Sequence, residues 1–288
     1  MKKQEAMFKE IFKKGLLVKG YLSKNLIKTY WWNTEKNFGD LLVPLLLKSY
    51  DLTPIHTSRN LAEAVCIGSV LQWLDEDYCG YIVGCGLMFD KHIQFPYAKI
   101  LALRGELTRQ RLGASKNTVL GDPGLLVDKF IAERQKKKFV IGFIPHWKDK
   151  NDKRIEKIFK KNPNDILIID VQRDPQVVIT EIDQCEAIFS SSLHGLVTAD
   201  ALNIPNAWLL LSEKTTGTFK FFDYGSAFGE NISPLLINGD EKMSFLIDRT
   251  RKVNPKIDKI KFDLDKTYNE FSSEVHQSSG RKILKFKT

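Results

Sequence analysis

A chain of 288 residues is long enough for two cores of ordinary domain size, and 43% apolar with 27% charged residues excludes wholesale disorder. No apolar run approaches the roughly eighteen residues that a membrane-spanning helix needs. The basic start "MKKQEAMFKEIFKKGLLVKGYL" carries too many internal charges for a signal-peptide core, so a cytoplasmic protein is expected. The formal net charge of +9 suits an anionic partner.

In chain order, "LIKTYWW" (26–32) predicts a strand and "DLLVPLLLKSY" (40–50) a helix. Pro44 is placed in its first turn, where backbone N–H groups lack helical partners. "AVCIGSVL", "GYIVGCGL", "KILALRG" and "NTVLGD" follow as short strands with glycine endings, and "ELTRQRLG" as a helix stopped by Gly113. The charged stretch "DKFIAERQKKK" interrupts this pattern. A second series then begins at "FVIGFIPH": a helix over 151–161, strand "DILIIDV", helix "DPQVVITEIDQCE", strand "AIFSSS", helix "HGLVTADALN" and strand "NAWLLL". "SEKTTGTFKFFDY" reads as a polar, glycine-containing loop. "EKMSFLIDRTRKV" and "IKFDLDKTYNEF" read as amphipathic helices.

Strands that are nearly continuous apolar runs are covered on both faces, which implies parallel sheets between helices. Two blocks of such alternation predict an α/β protein of two doubly wound domains facing across a cleft, residues 1–135 and 136–288. The last helices are expected to pack outside the second domain or to cross back to the first.

Several chemistries are excluded or disfavoured. Cys66, Cys79, Cys85 and Cys185 show no CxxC pairing and no histidine at zinc spacing, so reduced thiols are expected, with neither disulfide nor structural metal. There is no P-loop, and Gly84-x-Gly86 lacks the third glycine of a dinucleotide fingerprint. "SSSLHG" is not a nucleophile elbow, and Ser191 or Ser192 stands too close in sequence to His194 for an ordinary nucleophile–base pair. Without zinc-finger spacing or an RNA-binding aromatic motif, no nucleic-acid partner is expected. Much of the excess positive charge sits at the ends, at Lys2, Lys3, Lys9, Lys13, Lys14 and Lys19, then at Arg281, Lys282, Lys285 and Lys287. This suits either a solvated surface or an anionic membrane face.

Ligands of open α/β sheets bind beyond the carboxyl ends of the strands, so polar residues at those ends are the candidates. His194 follows a buried strand and begins a helix, where N–H groups and the helix dipole favour an anion. Asn37 and Asp40 follow the first strand, and Asp40 also fits as a helix cap. Arg104 ends another strand, where its fork suits a carboxylate or phosphate, or a structural ion pair. His146 ends the first strand of the second series, and Lys214 and Lys220 flank the glycine-containing loop.

The blocks "NFGDLLVPLL", "ALRGELTRQRLG", "GDPGLLV", "GFIPH", "IDV", "IFSSSLHGLVTADALNIPNAW" and "FKFFDY", in this order, resemble the polysaccharide pyruvyl transferases, and most of all their succinoglycan-type branch. The resemblance runs from about residue 26 to 229, and Ser-Ser-Leu-His-Gly is its most specific element. It implies a GT-B-like pair of Rossmann-like domains. It also implies transfer of the pyruvyl unit of phosphoenolpyruvate (PEP) onto two hydroxyls of a sugar, giving a cyclic ketal and phosphate. No cofactor or metal is implied beyond PEP as co-substrate. PEP would be held by Leu193 and His194, with Ser192 and Gly195 beside them, by an arginine (Arg104, or Arg109 or Arg111 of the same block), and by Lys214. On chemical grounds His194 is expected as general acid or phosphate-binding cation, with Arg104 and Lys214 neutralising the leaving group. Asp40 is expected as base or orienter for the acceptor, with Asn37, His146 and Lys220 on the acceptor side. The acceptor is expected to be a lipid-diphosphate-linked oligosaccharide of a bacterial capsule or exopolysaccharide, with peripheral membrane contact through the basic ends. Two rivals remain open: a GT-B glycosyltransferase gripping a nucleotide sugar through Glu213, and a catalytically silent binding protein.

Overall fold

The computed structural model describes residues 25–212 and 217–285, with side chains up to residue 278. The first series builds a six-stranded sheet from β1 (Leu26–Tyr30), β2 (Thr53–His56), β3 (Ala64–Val65), β4 (Tyr81–Val83), β5 (Lys99–Leu103) and β6 (Val119–Leu120), in the order β2-β1-β3-β4-β5-β6. The second builds a four-stranded sheet from β7 (Phe139–Ile144), β8 (Ile166–Ile168), β9 (Cys185–Ser190) and β10 (Asn206–Trp208), in the order β10-β9-β7-β8. Every paired strand in both sheets runs parallel to its neighbour. In each sheet the chain leaves the first strand for one side and later returns to the other. The order therefore reverses between β1 and β3 and again between β7 and β9.

Among the described residues the α-helices are α1 (Phe38–Ser49), α2 (Glu106–Leu112), α3 (Lys153–Lys161), α4 (Pro175–Asp183), α5 (Leu193–Ala201), α6 (Phe219–Ser226), α7 (Met243–Asp248) and α8 (Lys256–Lys285), and the longest 3₁₀ run covers Pro123–Phe130. Gly113 ends α2 in the left-handed conformation, at φ 61°, as its position after the apolar periodicity predicts. Asp152 and Asp174 cap α3 and α4 through their side chains.

Two local expectations are corrected, and one strand was not expected at all. α1 begins at Phe38, so Pro44 lies beyond the first turn, and the Asp40 carbonyl loses its helical N–H partner there. Thr53–His56 is a strand despite Pro54, which an edge strand tolerates. The stretch from Phe219 is helix rather than loop, because burial of Phe221 and Tyr224 against the core outweighs the weak helix preference of its aromatics and Gly225.

One apolar core joins the two sheets. Phe38, Leu42 and Leu46 of α1 share it with Ile144, Val178, Leu196 and Val197 of the second series and with Tyr268 and Phe271 of α8. α8 lies on the first sheet: the Tyr268 hydroxyl donates to the Val83 carbonyl at 2.8 Å, and Glu274 accepts from Tyr81. α7 buries Leu246 with Ile141 and Phe143 of the second sheet. Cys66, Cys85 and Cys185 are buried, whereas Cys79 is exposed. Among the described residues no helix is long and apolar enough to cross a membrane. The N-terminal lysines and Lys287 lie outside the described residues, and Arg281, Lys282 and Lys285 fall in the last turns of α8.

Candidate active site

The two points where strand order reverses face each other across a cavity of about 330 Å³, lined from both halves. That volume lies at the lower end of the range for small-molecule sites. Asn37 and Asp40 enter it from α1, Gly68 and Ser69 from the turn after β3, and His146 and Lys148 from the turn after β7. Ser192, Leu193 and His194 enter it from the start of α5, and Lys220 from α6.

The start of α1 is built around a side-chain pair. Asn37 holds the extended N-cap position but makes no cap bond. Its amide nitrogen Nδ2 donates instead to Oδ2 of Asp40 at 2.7 Å. Asp40 sits in the first helical turn, so capping, the other role open to it, belongs to the position before the helix. Burial pushes its carboxyl up to about 6, against the opposing pull of the Asn37 bond and the Lys220 charge. Gly68 adopts φ 97°, which only glycine takes freely, and brings the backbone against Oδ1 of Asp40.

α5 begins where β9 ends, and Ser190 ties that corner. Its Oγ donates toward the Ile144 and Ser192 carbonyls and accepts from the Ser192 N–H at 3.0 Å. Gly195 is packed inside the corner, where a Cβ would meet Ser190 Oγ at 2.3 Å, and it does not reach the cavity. The His194 ring stands between two glycines. A Cβ on Gly39 would fall 1.9 Å from Nδ1, and one on Gly124 would lie 3.6 Å from Cδ2. Burial lowers the His194 pKa and the Asp122 carboxylate opposes that, while Lys220 and Arg104 reinforce it. The ring is accordingly neutral in the unliganded site.

Lys220 is 7% exposed, and its ammonium lies 5.3 Å from the Phe221 ring centroid. Burial pulls its pKa down to about 8, Arg104 pushes the same way, and Asp40 and Asp149 resist. His146 accepts from the Lys148 N–H through Nδ1 at 3.3 Å, and burial with the Lys220 and Lys148 charges holds it down to about 3, so it too is neutral. Asp149 accepts from Ser191 Oγ at 3.1 Å. The rim is aromatic: the Trp32 and Trp73 rings stand 5.8 Å apart at 34°, and Trp147 and the 57%-exposed Phe89 complete it.

Arg104 requires a correction: it does not line the cavity. It is fully buried, giving Nε to Asp223 Oδ2 at 2.8 Å, Nη1 to Ser69 Oγ at 2.6 Å and Nη2 to the Leu87 carbonyl. Asp223 also accepts from the backbone N–H and hydroxyl of Thr108, both at 2.7 Å. Of the other arginines in that block, Arg109 pairs with Glu106 and Arg111 with Asp90 near the surface. Lys214 and Glu213 lie outside the described residues.

Sequence reasoning passed over Ser69, Lys148 and the three tryptophans. Isolated serines and lysines in loops carry no signal, and a tryptophan after a strand reads as core. Among the described residues no group of three or more histidine, cysteine or acidic side chains is arranged to hold a metal ion. The arrangement offers groups that titrate near neutrality, Asp40 and Lys220, beside two neutral imidazoles and a helix N-terminus. This combination suits proton transfer next to a bound anion.

Residues 91–212, which include His146 and His194, match the family profile of polysaccharide pyruvyl transferase. The chain is 33% identical over 158 residues to protein L143 of Acanthamoeba polyphaga mimivirus, itself uncharacterized, over 51% of this chain and 54% of that one. It thus spans only about half the length of that relative. It is 26% identical over 218 residues to the succinoglycan biosynthesis protein ExoV of Rhizobium meliloti (strain 1021), over 72% of this chain and 67% of that protein. Among solved structures, the H444N variant of the wall teichoic acid polymerase TagF aligns with 91% of this chain and 90% of its own, at 12% identity and a TM-score of 0.49, too distant to carry an argument. Over that matched segment, a little under half of its length, the chain is similar to the polysaccharide pyruvyl transferases.

Proposed function

We propose that this protein moves the pyruvyl unit of PEP onto two hydroxyls of a sugar in a bacterial capsule or exopolysaccharide precursor, forming a cyclic ketal and releasing phosphate. The observation that carries this reading is the convergence of His194, Lys220 and Asp40 on one cavity where both sheets reverse their strand order. A proton is added to the PEP methylene carbon, leaving an oxocarbenium-like C2. One sugar hydroxyl adds to C2 and loses its proton. Phosphate then departs with its bridging oxygen, and the second hydroxyl closes the ring with loss of a further proton.

In this scheme His194 supplies or relays the first proton, and the α5 N-terminus with Lys220 holds the anionic end of PEP. Lys220 thereby takes the neutralising part expected of Arg104, whose own bonds go to Asp223, Ser69 and Leu87. Lys214 keeps its proposed place beside the phosphate. Asp40, steadied by Asn37, accepts the proton of the attacking hydroxyl, and neutral His146 orients the acceptor. The Trp32–Trp73 pair offers the flat apolar faces on which sugar C–H groups stack. We further propose that no cofactor is needed, that the acceptor is lipid-diphosphate-linked, and that the protein works in the cytoplasm against the membrane face, through its basic ends.

Calorimetry with PEP on the wild type, His194→Ala and Lys220→Ala tests this. The expected result is micromolar to millimolar binding, weakened at least about tenfold in each variant. A wild type that ignores PEP but is stabilised by a nucleotide sugar would sink the proposal in favour of glycosyl transfer.

A further inference from the structure

Two buried polar atoms face each other behind the cavity with nothing to satisfy either. His194 Nε2 and Asp122 Oδ2 are 3.7 Å apart, and neither has a hydrogen-bond partner among the described residues. Asp122 is fully buried, and its other oxygen is committed, accepting from the Gly124 N–H at 2.9 Å to cap the 3₁₀ run. A carboxylate that needed only to cap would have no reason to leave a second oxygen buried, unbonded and aimed at an imidazole nitrogen. The only other ring nitrogen, Nδ1, lies against Gly39 at the first turn of α1, beside Asp40.

We propose that Asp122 is the positioning residue of His194: its Oδ2 takes the Nε2–H, fixes that tautomer, and leaves Nδ1 as the nitrogen that exchanges protons with whatever occupies the cavity. A shift of the ring by less than about 1 Å completes the bond. Once Nδ1 takes a proton, the imidazolium stands beside the Asp122 carboxylate, which offsets the Lys220 and Arg104 charges that disfavour it. The other ionisable groups around the ring are Asp40 from α1 and His146 and Lys148 from the turn after β7, all on the cavity side.

The inference rests on the proposed reaction only for its kinetic consequence, so the first test reads the ring itself. Protein labelled with ¹⁵N-histidine is followed by two-bond ¹H–¹⁵N correlation through a pH titration, for the wild type and for Asp122→Asn. Asparagine keeps the cap through Oδ1 and presents an amide donor to Nε2, so the expected result is a switch of His194 from the Nε2–H to the Nδ1–H tautomer, with a lower pKa. Unchanged signals from His56, His92, His146 and His276 and an unchanged melting temperature would show that the fold persists. A wild-type His194 carrying its proton on Nδ1, or a tautomer and pKa indifferent to Asp122→Asn, would overturn the proposal. If the ring behaves as expected, turnover with PEP should fall about 100-fold in Asp122→Asn with little change in KM. A ring that switches in a protein without pyruvyl transfer leaves the positioning role intact and removes only the reaction. Asp122→Ala, which also loses the cap, should be less stable than Asp122→Asn.

Discussion

Burial raises the Asp40 carboxyl to about 6 and lowers the Lys220 ammonium to about 8, so at neutral pH the fold holds both groups against their preference for water. For Asp40 the folded protein keeps a proton that the unfolded chain has already released between about pH 4 and 6. Stability therefore falls as pH rises through that window, and the full cost is present above it. For Lys220 the unfolded chain keeps its proton longer, so its cost is full below about pH 8 and fades toward the ordinary lysine range. Asp40→Asn should accordingly stabilise the protein by on the order of 2–3 kcal/mol at pH 8 and by almost nothing near pH 4, as denaturant midpoints at the two pH values would register. A gain that is the same at both would mean that Asp40 is not the group being held. At this scale the sequence was legible wherever a polar residue closes an apolar strand, which is how His194, Asp40 and His146 stood out. Arg104 closes a strand in the same way, yet it faces inward to a carboxylate 119 positions away in sequence, which no local pattern reveals.

At the scale of elements, the site depends on how closely α1 and α5 approach. Gly39 is in ordinary helical backbone, so its role is not conformational: the His194 ring occupies the space a side chain would need. Gly39→Ala should improve the helix preference of α1 slightly and still cost about 1–3 kcal/mol, because the ring or the helix must move. It should also remove PEP binding, which calorimetry beside a melting curve would separate from simple unfolding. The parallel strands and most of the helices could be read from apolar runs and their stops. α6 and β2 could not, since one owes its form to the burial of Phe221 and Tyr224 and the other to an edge position that spares Pro54 a ladder bond. Because α6 was hidden, so was the reason Lys220 points into the cavity: its helix packs Asp223 on Thr108 at the start of α2, across the boundary between the two series.

Over the whole molecule, the alternation of strands and helices gave two sheets but not how they are joined. α1, α5, α8 and the 3₁₀ run bury their apolar faces in one core, and the Arg104–Asp223 pair bridges the halves where water does not reach. Removing one partner of such a pair leaves an uncompensated buried charge, so Arg104→Ala should destabilise by about 3–5 kcal/mol. The loss should appear as one shifted transition whether followed by the fluorescence of a variant that keeps only Trp73 of the first series or of one that keeps only Trp208 of the second. Two separate transitions would show that the halves are thermodynamically independent. The sequence could not reveal this coupling, because each series on its own looks like a complete doubly wound unit.

The first N–H of α1, from Phe38, is spent on the Val171 carbonyl beyond β8, at 2.7 Å. A helix that opens on one sheet thus begins by bonding to the other, one residue before the glycine against which His194 rests. Swinging the sheets apart would break that bond and withdraw the imidazole from its seat together. The entropy of assembling the reacting groups is therefore paid during folding rather than at each encounter with substrate, and the cavity meets its ligands as a fixed mould.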